Sequence, residues 1–142
     1  LQSRPVAPEP GGLYVRTGHA LAGAGPVSLQ EAWRYGVLAI RLPVGVRTAL
    51  AGMLGLPSPA ELKVAVECDD ANLLARVAVG SDSVLLAAHA AVAAEVAQGR
   101  LVLLEVRGLP LLQARAGVVT LRGRTPSPMA ELIISRLPLI NE

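Results

Sequence analysis

The residues best suited to chemistry in this chain stand where apolar runs end. Cys68-Asp69-Asp70 follows the run Lys63 to Glu67 and precedes a helical pattern from about Asp70 to Val79. An aspartate at such a junction caps the helix, accepting from free amides and offsetting the helix dipole. In a sheet of parallel strands the same junction faces the ligand, because ligands bind beyond the strands' carboxyl ends. On that reading Cys68, Asp69 and the first helical amides line a pocket. Arg41-Leu42-Pro43 ends an earlier run, so Arg41 lies beside Cys68 if the two strands pair. Its guanidinium suits a carboxylate through charge-assisted hydrogen bonds, helped by a helix that opens near Val46. The plainer reading makes Arg41 a surface residue or a partner for Asp69, and two nearby carboxylates weigh toward it.

His89 ends the third run and His19 lies upstream. Cys68 and His89 invite assembly into a thiol-imidazole pair oriented by Asp70. No strained nucleophile turn, oxyanion-hole motif or second His-Asp spacing supports such a pair, so no enzyme activity is expected. A metal site from His19, His89 and Asp82 is weaker still, and no metal or other cofactor is expected. Neither G-x-G-x-x-G nor a Walker motif occurs, so nucleotide binding is not indicated.

These residues need a scaffold, and the chain supplies one. Apolar runs alternate with helical patterns as strand Val37 to Arg41, helix Val46 to Leu54, strand Lys63 to Glu67, helix Asp70 to Val79, strand Val84 to Ala88, helix Ala90 to Gln98 and strand Leu101 to Val106. Such alternation implies an α/β lobe whose parallel strands are joined by right-handed crossovers. Ser28 and Glu31 form a capping box that starts a short helix through Arg34. Leu13 to Arg16 and Gln113 to Arg122 read as strands that flank the lobe in sequence. Ser127-Pro128 opens a last helix to about Leu137. Residues 1–12, with three prolines and two glycines, read as a loop or linker.

With 142 residues the chain suits a single domain. There is no Phe, so the core is expected to consist of Val, Leu, Ile and Ala. The net charge of +2 is dispersed and unaccompanied by aromatic clusters, which argues against a nucleic-acid footprint. One cysteine excludes an internal disulfide. Charges interrupt every apolar run before it could span a bilayer, and no signal-peptide pattern opens the chain. No membrane association is expected, and cytoplasm is the default compartment.

From about Leu13 to the C-terminus the chain resembles the effector-binding domain of LysR-type transcriptional regulators. The resemblance rests on Val15-Arg16-x-Gly18-His19-x-Leu21-Ala22, Ser28-Leu29, Cys68-Asp69-Asp70-Ala71 and Gly117-Val118-Val119-Thr120-Leu121-Arg122. Ala20 stands where that family usually has proline. The resemblance implies a type II periplasmic-binding-protein-like lobe with a mostly parallel sheet, hinge strands and an incomplete first lobe. Residues 1–12 would be the linker, 13–26 a hinge strand and its approach, 27–110 the second lobe, and 111–142 the return hinge strand and a first-lobe helix. It implies a small-molecule effector bound between two lobes and touching Cys68; the strands' carboxyl ends give the expected effector site as Arg41, Leu42, Pro43, Cys68, Asp69 and His89. DNA would be reached only through a helix-turn-helix domain that this chain lacks.

Two other classes remain open: a solute-binding protein of a transport system, and an oligomerisation module that binds no ligand. The hinge strands and last helix present apolar faces without a partner in the chain. A homo-oligomer is therefore expected, through Val118, Val119, Leu121, Leu132 and Ile133.

Overall fold

The fold comes from a computed structural model that describes residues 10–109 and 122–137 in full, and residues 2–9 and 112–120 as backbone. The chain divides into two compact units, Pro10–Leu112 and a smaller one of Leu1–Glu9 with Gln113–Glu142.

Along the larger unit run β1 (Gln2–Arg16, which begins in the smaller unit), α1 (Leu29–Trp33), β2 (Val37–Ala39), α2 (Val44–Met53) and β3 (Val66–Glu67). They are followed by α3 (Ala71–Val79), β4 (Val84–Ala88), α4 (Ala93–Ala97) and β5 (Leu101–Leu103). The strands lie in the order β3-β2-β4-β1-β5. β2 pairs in parallel with β3 and β4, whereas β1 is antiparallel to both β4 and β5. Hence β2, β3, β4 and β5 point one way and β1 opposes them. The expected α/β lobe with a mostly parallel sheet is present, but the β1 segment is a member of its sheet and separates β4 from β5.

Strand alternation explains the core. Leu13 and Val15 on β1, Val37 and Ala39 on β2, and Val84 and Leu86 on β4 join one apolar cluster with Leu29, Leu50 and Leu62. The intervening Tyr14, Leu38 and Leu85 join a second with Leu74, Ala75 and Ala78 of α3. Side chains of successive strand residues point to opposite faces, so a sheet covered on both sides must read as an unbroken apolar run. That is why the sequence shows such runs here.

Residues 1–12 depart from the expectation of a loop, because the described backbone is strand from Gln2 onward. Proline's fixed φ is compatible with extended backbone where its missing N–H is not needed. The glycines answer to packing rather than to a turn. A Cβ on Gly11 would stand 2.8 Å from the Ala87 carbonyl oxygen, and one on Gly12 would stand 2.8 Å from Leu103 Cδ1. At Gly11, where the close atom is backbone, only glycine lets β1 lie this close to β4, whereas at Gly12 the close atom is the end of a flexible side chain.

Several elements are shorter than expected. β2 stops at Ala39, β3 is Val66–Glu67, and β5 stops at Leu103. A 3-10 turn, His89–Val92, precedes a short α4. Helix starts are encoded as read: Ser28 Oγ accepts from the Glu31 amide at 3.1 Å and Asp70 Oδ1 from the Leu73 amide at 3.1 Å.

In the smaller unit, β6 (Leu112–Thr120) pairs with β1, and α5 (Pro128–Arg136) starts where Ser127 Oγ accepts from the Ala130 amide at 3.2 Å. Met129, Leu132 and Ile133 of α5 are exposed. Of the residues expected at a self-association surface, Leu121 lies outside the described residues, and Val118 and Val119 are described as backbone only.

Candidate functional site

The β2–β3 register decides where the polar junctions meet. Leu38 is opposite Val66 and Ala39 opposite Glu67, and the ladder continues with the Cys68 amide donating to the Ala39 carbonyl at 3.2 Å. The two strands therefore end side by side, with Ile40-Arg41 next to Cys68-Asp69. Arg41 and Asp69 are exposed, and among the described residues neither has an ion-pair partner. Cys68 is half-buried, and its thiol is directed at the Asp70 carbonyl at 3.7 Å. Of the two adjacent aspartates that could cap α3, Asp70 does so.

Leu42 corrects the expected pocket lining. It is only 9% exposed and belongs to the same apolar cluster as Leu50 and Leu62, because the chain bends after Ala39 and turns this side chain inward. Its amide still faces the strand ends, donating to Glu67 Oε1 at 3.4 Å. Pro43 is exposed at the N-cap of α2, where no side chain caps the helix. Val44, the first residue of α2, is 78% exposed.

Glu67 and Arg47 were not expected at this place. Arg47 Nη2 lies 3.4 Å from Glu67 Oε2 and its Nη1 donates to the Leu62 carbonyl at 3.4 Å. Together with the Leu42 amide this ties the end of β3 to the first turns of α2. A cavity of about 620 Å³ borders Arg47 and Glu67 with Trp33, Arg34, Leu62 and Lys63, along the edge strand β3. Arg41, Cys68 and His89 do not line it. A strand-end glutamate was the available signal, but a pair twenty residues apart has no local signature.

His89 follows β4 as the first residue of the 3-10 turn and is half-buried. Its Nδ1 is hydrogen-bonded to the Tyr14 hydroxyl, with the two rings edge to face at 5.8 Å. Tyr14 is 3% exposed, and burial pushes its phenol above the usual value of 10.0. Cys68 and His89 thus take different partners, and neither atom is directed at the other.

His19 is 3% exposed and spends both ring nitrogens on the backbone. Nε2 donates to the Asp82 carbonyl at 2.8 Å, and Nδ1 accepts from the Leu21 amide at 2.9 Å. Arg16 Nη2 meets the Asp82 carboxylate at 2.8 Å. The Arg16-x-Gly18-His19 spacing therefore fastens the end of β1 to the loop before β4. Among the described residues no three His, Cys, Asp or Glu side chains are grouped to share a metal ion.

The sequence pattern of the LysR substrate binding domain matches residues 1–138. The chain belongs to the LysR substrate-binding domain family. A curated relative, the SDS degradation transcriptional activation protein of Pseudomonas sp. (strain ATCC 19151), is 33% identical over 134 residues. The match takes in 92% of this chain and 42% of the relative, so the chain spans less than half of that regulator. The CcmR regulatory domain of Synechocystis PCC6803, solved in complex with 2-PG, is 18% identical with a TM-score of 0.67, over 94% of this chain and 64% of that one. HinK, a LysR family transcriptional regulator from Pseudomonas aeruginosa, is 14% identical with a TM-score of 0.63, over 94% of this chain and 45% of that one. These similarities show the type II periplasmic-binding-like fold of LysR effector domains. No helix among the described residues is long and apolar enough to cross a membrane.

Proposed function

We propose that this chain senses a small molecule on behalf of a LysR-type transcriptional regulator. The effector binds at the carboxyl ends of β2, β3 and β4, contacting Arg41, Pro43, Cys68, Asp69 and His89, with Leu42 contributing its backbone. Residues 27–110 act as one lobe, and the ligand closes it against another. Switching requires the effector to bind one arrangement of the lobes better than the other. A separate helix-turn-helix domain carries the response to DNA, in a cytoplasmic homo-oligomer that performs no catalysis.

One observation carries this reading. The β2–β3 register brings exposed Arg41 and half-buried Cys68 to one strand end, beside the α2 N-terminus that no side chain caps. Free amides and a guanidinium favour an anionic oxygen, so the proposed class is an organic acid such as a carboxylate. Alkyl sulfates join the test because a relative is named for SDS degradation.

The test is the rate at which a maleimide labels Cys68, with organic acids or sub-micellar dodecyl sulfate present. A binding acid should slow labelling. Arg41→Ala should weaken the protection about ten- to a hundred-fold, the worth of one hydrogen bond to a charged group. An acid that stabilises the chain against heat yet leaves the labelling rate unchanged would place binding elsewhere.

A further inference from the structure

The Tyr14–His89 pair lies in the larger unit, and its geometry does more than fill space. β1 brings Tyr14 into register with Leu85 of β4 and Leu103 of β5. His89 stands two residues beyond Ala87, whose partner on β1 is Gly12. To reach the Tyr14 hydroxyl the imidazole passes over Gly12, where a Cβ would sit 3.3 Å from His89 Cε1. Glycine at position 12 thus leaves the lane through which the ring reaches back along the sheet.

The direction of the hydrogen bond follows from what each atom has available. Among the described residues the Tyr14 hydroxyl has His89 Nδ1 as its partner, and Tyr14 is buried. If Nδ1 carried the proton, the hydroxyl would accept it and its own buried O–H would be left without an acceptor, the costlier arrangement. Tyr14 therefore donates and Nδ1 accepts. Burial also raises the phenol pKa, which keeps that proton in place. The imidazole proton then belongs on Nε2. Among the described residues Nε2 takes no hydrogen-bond partner, and none of their buried side-chain nitrogens or oxygens lacks one, so Nε2 reaches the surface.

We infer that Tyr14 is a positioning residue that locks His89 as an Nε2–H donor at the carboxyl end of β4, so that the site takes ligands presenting an acceptor oxygen there. This rests on the effector-site reading above and specifies the chemistry of one of its walls. A group held in the donor tautomer rewards an acceptor and leaves a competing donor unpaired, which is a basis for selection. Half-exposed Leu103 also borders the Gly12 lane, so the matching ligand carries an apolar part next to its oxygen.

The experiment is long-range 1H–15N NMR of the imidazole nitrogens in the ligand-free chain and in Tyr14→Phe, followed by titration with octanoate and octylammonium. These two probes share a tail and differ in whether the head accepts or donates. The expected spectrum has the His89 proton on Nε2 and an acceptor Nδ1. In Tyr14→Phe the Nδ1 resonance should move toward a mixture of tautomers. Octanoate should shift the Nε2 resonance, and octylammonium should not. A proton on Nδ1 in the unaltered chain, or a Tyr14→Phe spectrum identical to it, overturns the inference without any ligand being involved. Octanoate shifts at Arg41 and Cys68 that bypass His89 overturn the donor role and leave the effector site standing. If octanoate shifts none of these residues while His89 keeps its tautomer, both the donor role and the effector-site reading fail.

Discussion

Gly11→Ala tests the placement of β1 inside the sheet. The added carbon would lie 2.8 Å from the Ala87 carbonyl oxygen and 3.3 Å from its carbonyl carbon. Both belong to backbone, and Gly11 is itself paired with Ala88, so neither strand can yield without loosening the ladder. Overpacking of this kind costs about 1–3 kcal/mol. Removing a glycine from the unfolded chain offsets about 0.4–1 kcal/mol of that. The net loss should centre near 1.5 kcal/mol, or a fall in Tm of about 3–6 °C for a chain of this size. Gly12→Ala supplies the contrast, because its close neighbour is the flexible end of half-exposed Leu103 and the cost should stay below about 1 kcal/mol. The assay is urea unfolding followed by the fluorescence of Trp33, the single tryptophan, whose indole N–H donates to the Lys63 carbonyl at 2.8 Å. A Gly11→Ala chain as stable as the original, or a Gly12→Ala chain that loses more, would show that β1 does not run pressed between β4 and β5.

Other perturbations separate features that sequence alone treats alike. Asp70→Ala removes the cap that accepts from the Leu73 amide and should cost about 1 kcal/mol in the same urea assay; no change would mean that α3 is capped otherwise. His19→Ala strips two backbone groups of a buried partner and should cost at least about 2 kcal/mol, whereas Asp82→Ala, losing a largely exposed ion pair, should cost less than about 1 kcal/mol. The reverse order would refute the clamp described for Arg16 and His19. Alkaline pH should destabilise the chain through Tyr14. The unfolded chain loses the phenol proton near 10.0 while the folded chain holds it, so the contribution is full below that value and is lost as pH rises through the higher folded pKa. The urea midpoint should therefore fall above about pH 10, and Tyr14→Phe should flatten that fall; an equal fall in both would assign it to other groups.

Local signals are legible in the sequence. Asp70 and Ser127 are caps because short polar side chains before apolar periodicity can satisfy free amides, and both are seen to do so. The apolar runs at β2 and β4 are strands largely covered on both faces, whereas edge strand β3 is exposed, and the lobe's α/β character follows from the alternation of such runs with helices. What was not legible depends on distant pairings. Residues 1–12 have the composition of a linker because prolines and glycines usually break structure, while Leu13 to Arg16 is legible as a strand; Gly11 is there to allow a close approach by the β4 backbone. Leu42 is expected at the pocket from a strand running to Arg41, but β2 ends at Ala39 and Leu42 packs into the core. Glu67 with Arg47, and Tyr14 with His89, are contacts between elements far apart in the chain, and no periodicity announces them. Two of the motifs that carry the resemblance to LysR-type effector domains fall on caps and ties: Asp70 caps α3, and Arg16 and His19 hold the loop at Asp82.

The central claim is that a small organic acid binds at the carboxyl ends of β2, β3 and β4. Backbone 1H–15N chemical-shift mapping during titration with a set of such acids tests it most directly, since every non-proline amide reports its own surroundings. The account predicts that the first acid to bind shifts residues 40–46, 68–72 and 88–90 together, and that Arg41→Ala weakens that response. Shifts confined to Trp33, Lys63 and the cavity along the outer edge of β3, with the strand ends unmoved, would contradict it.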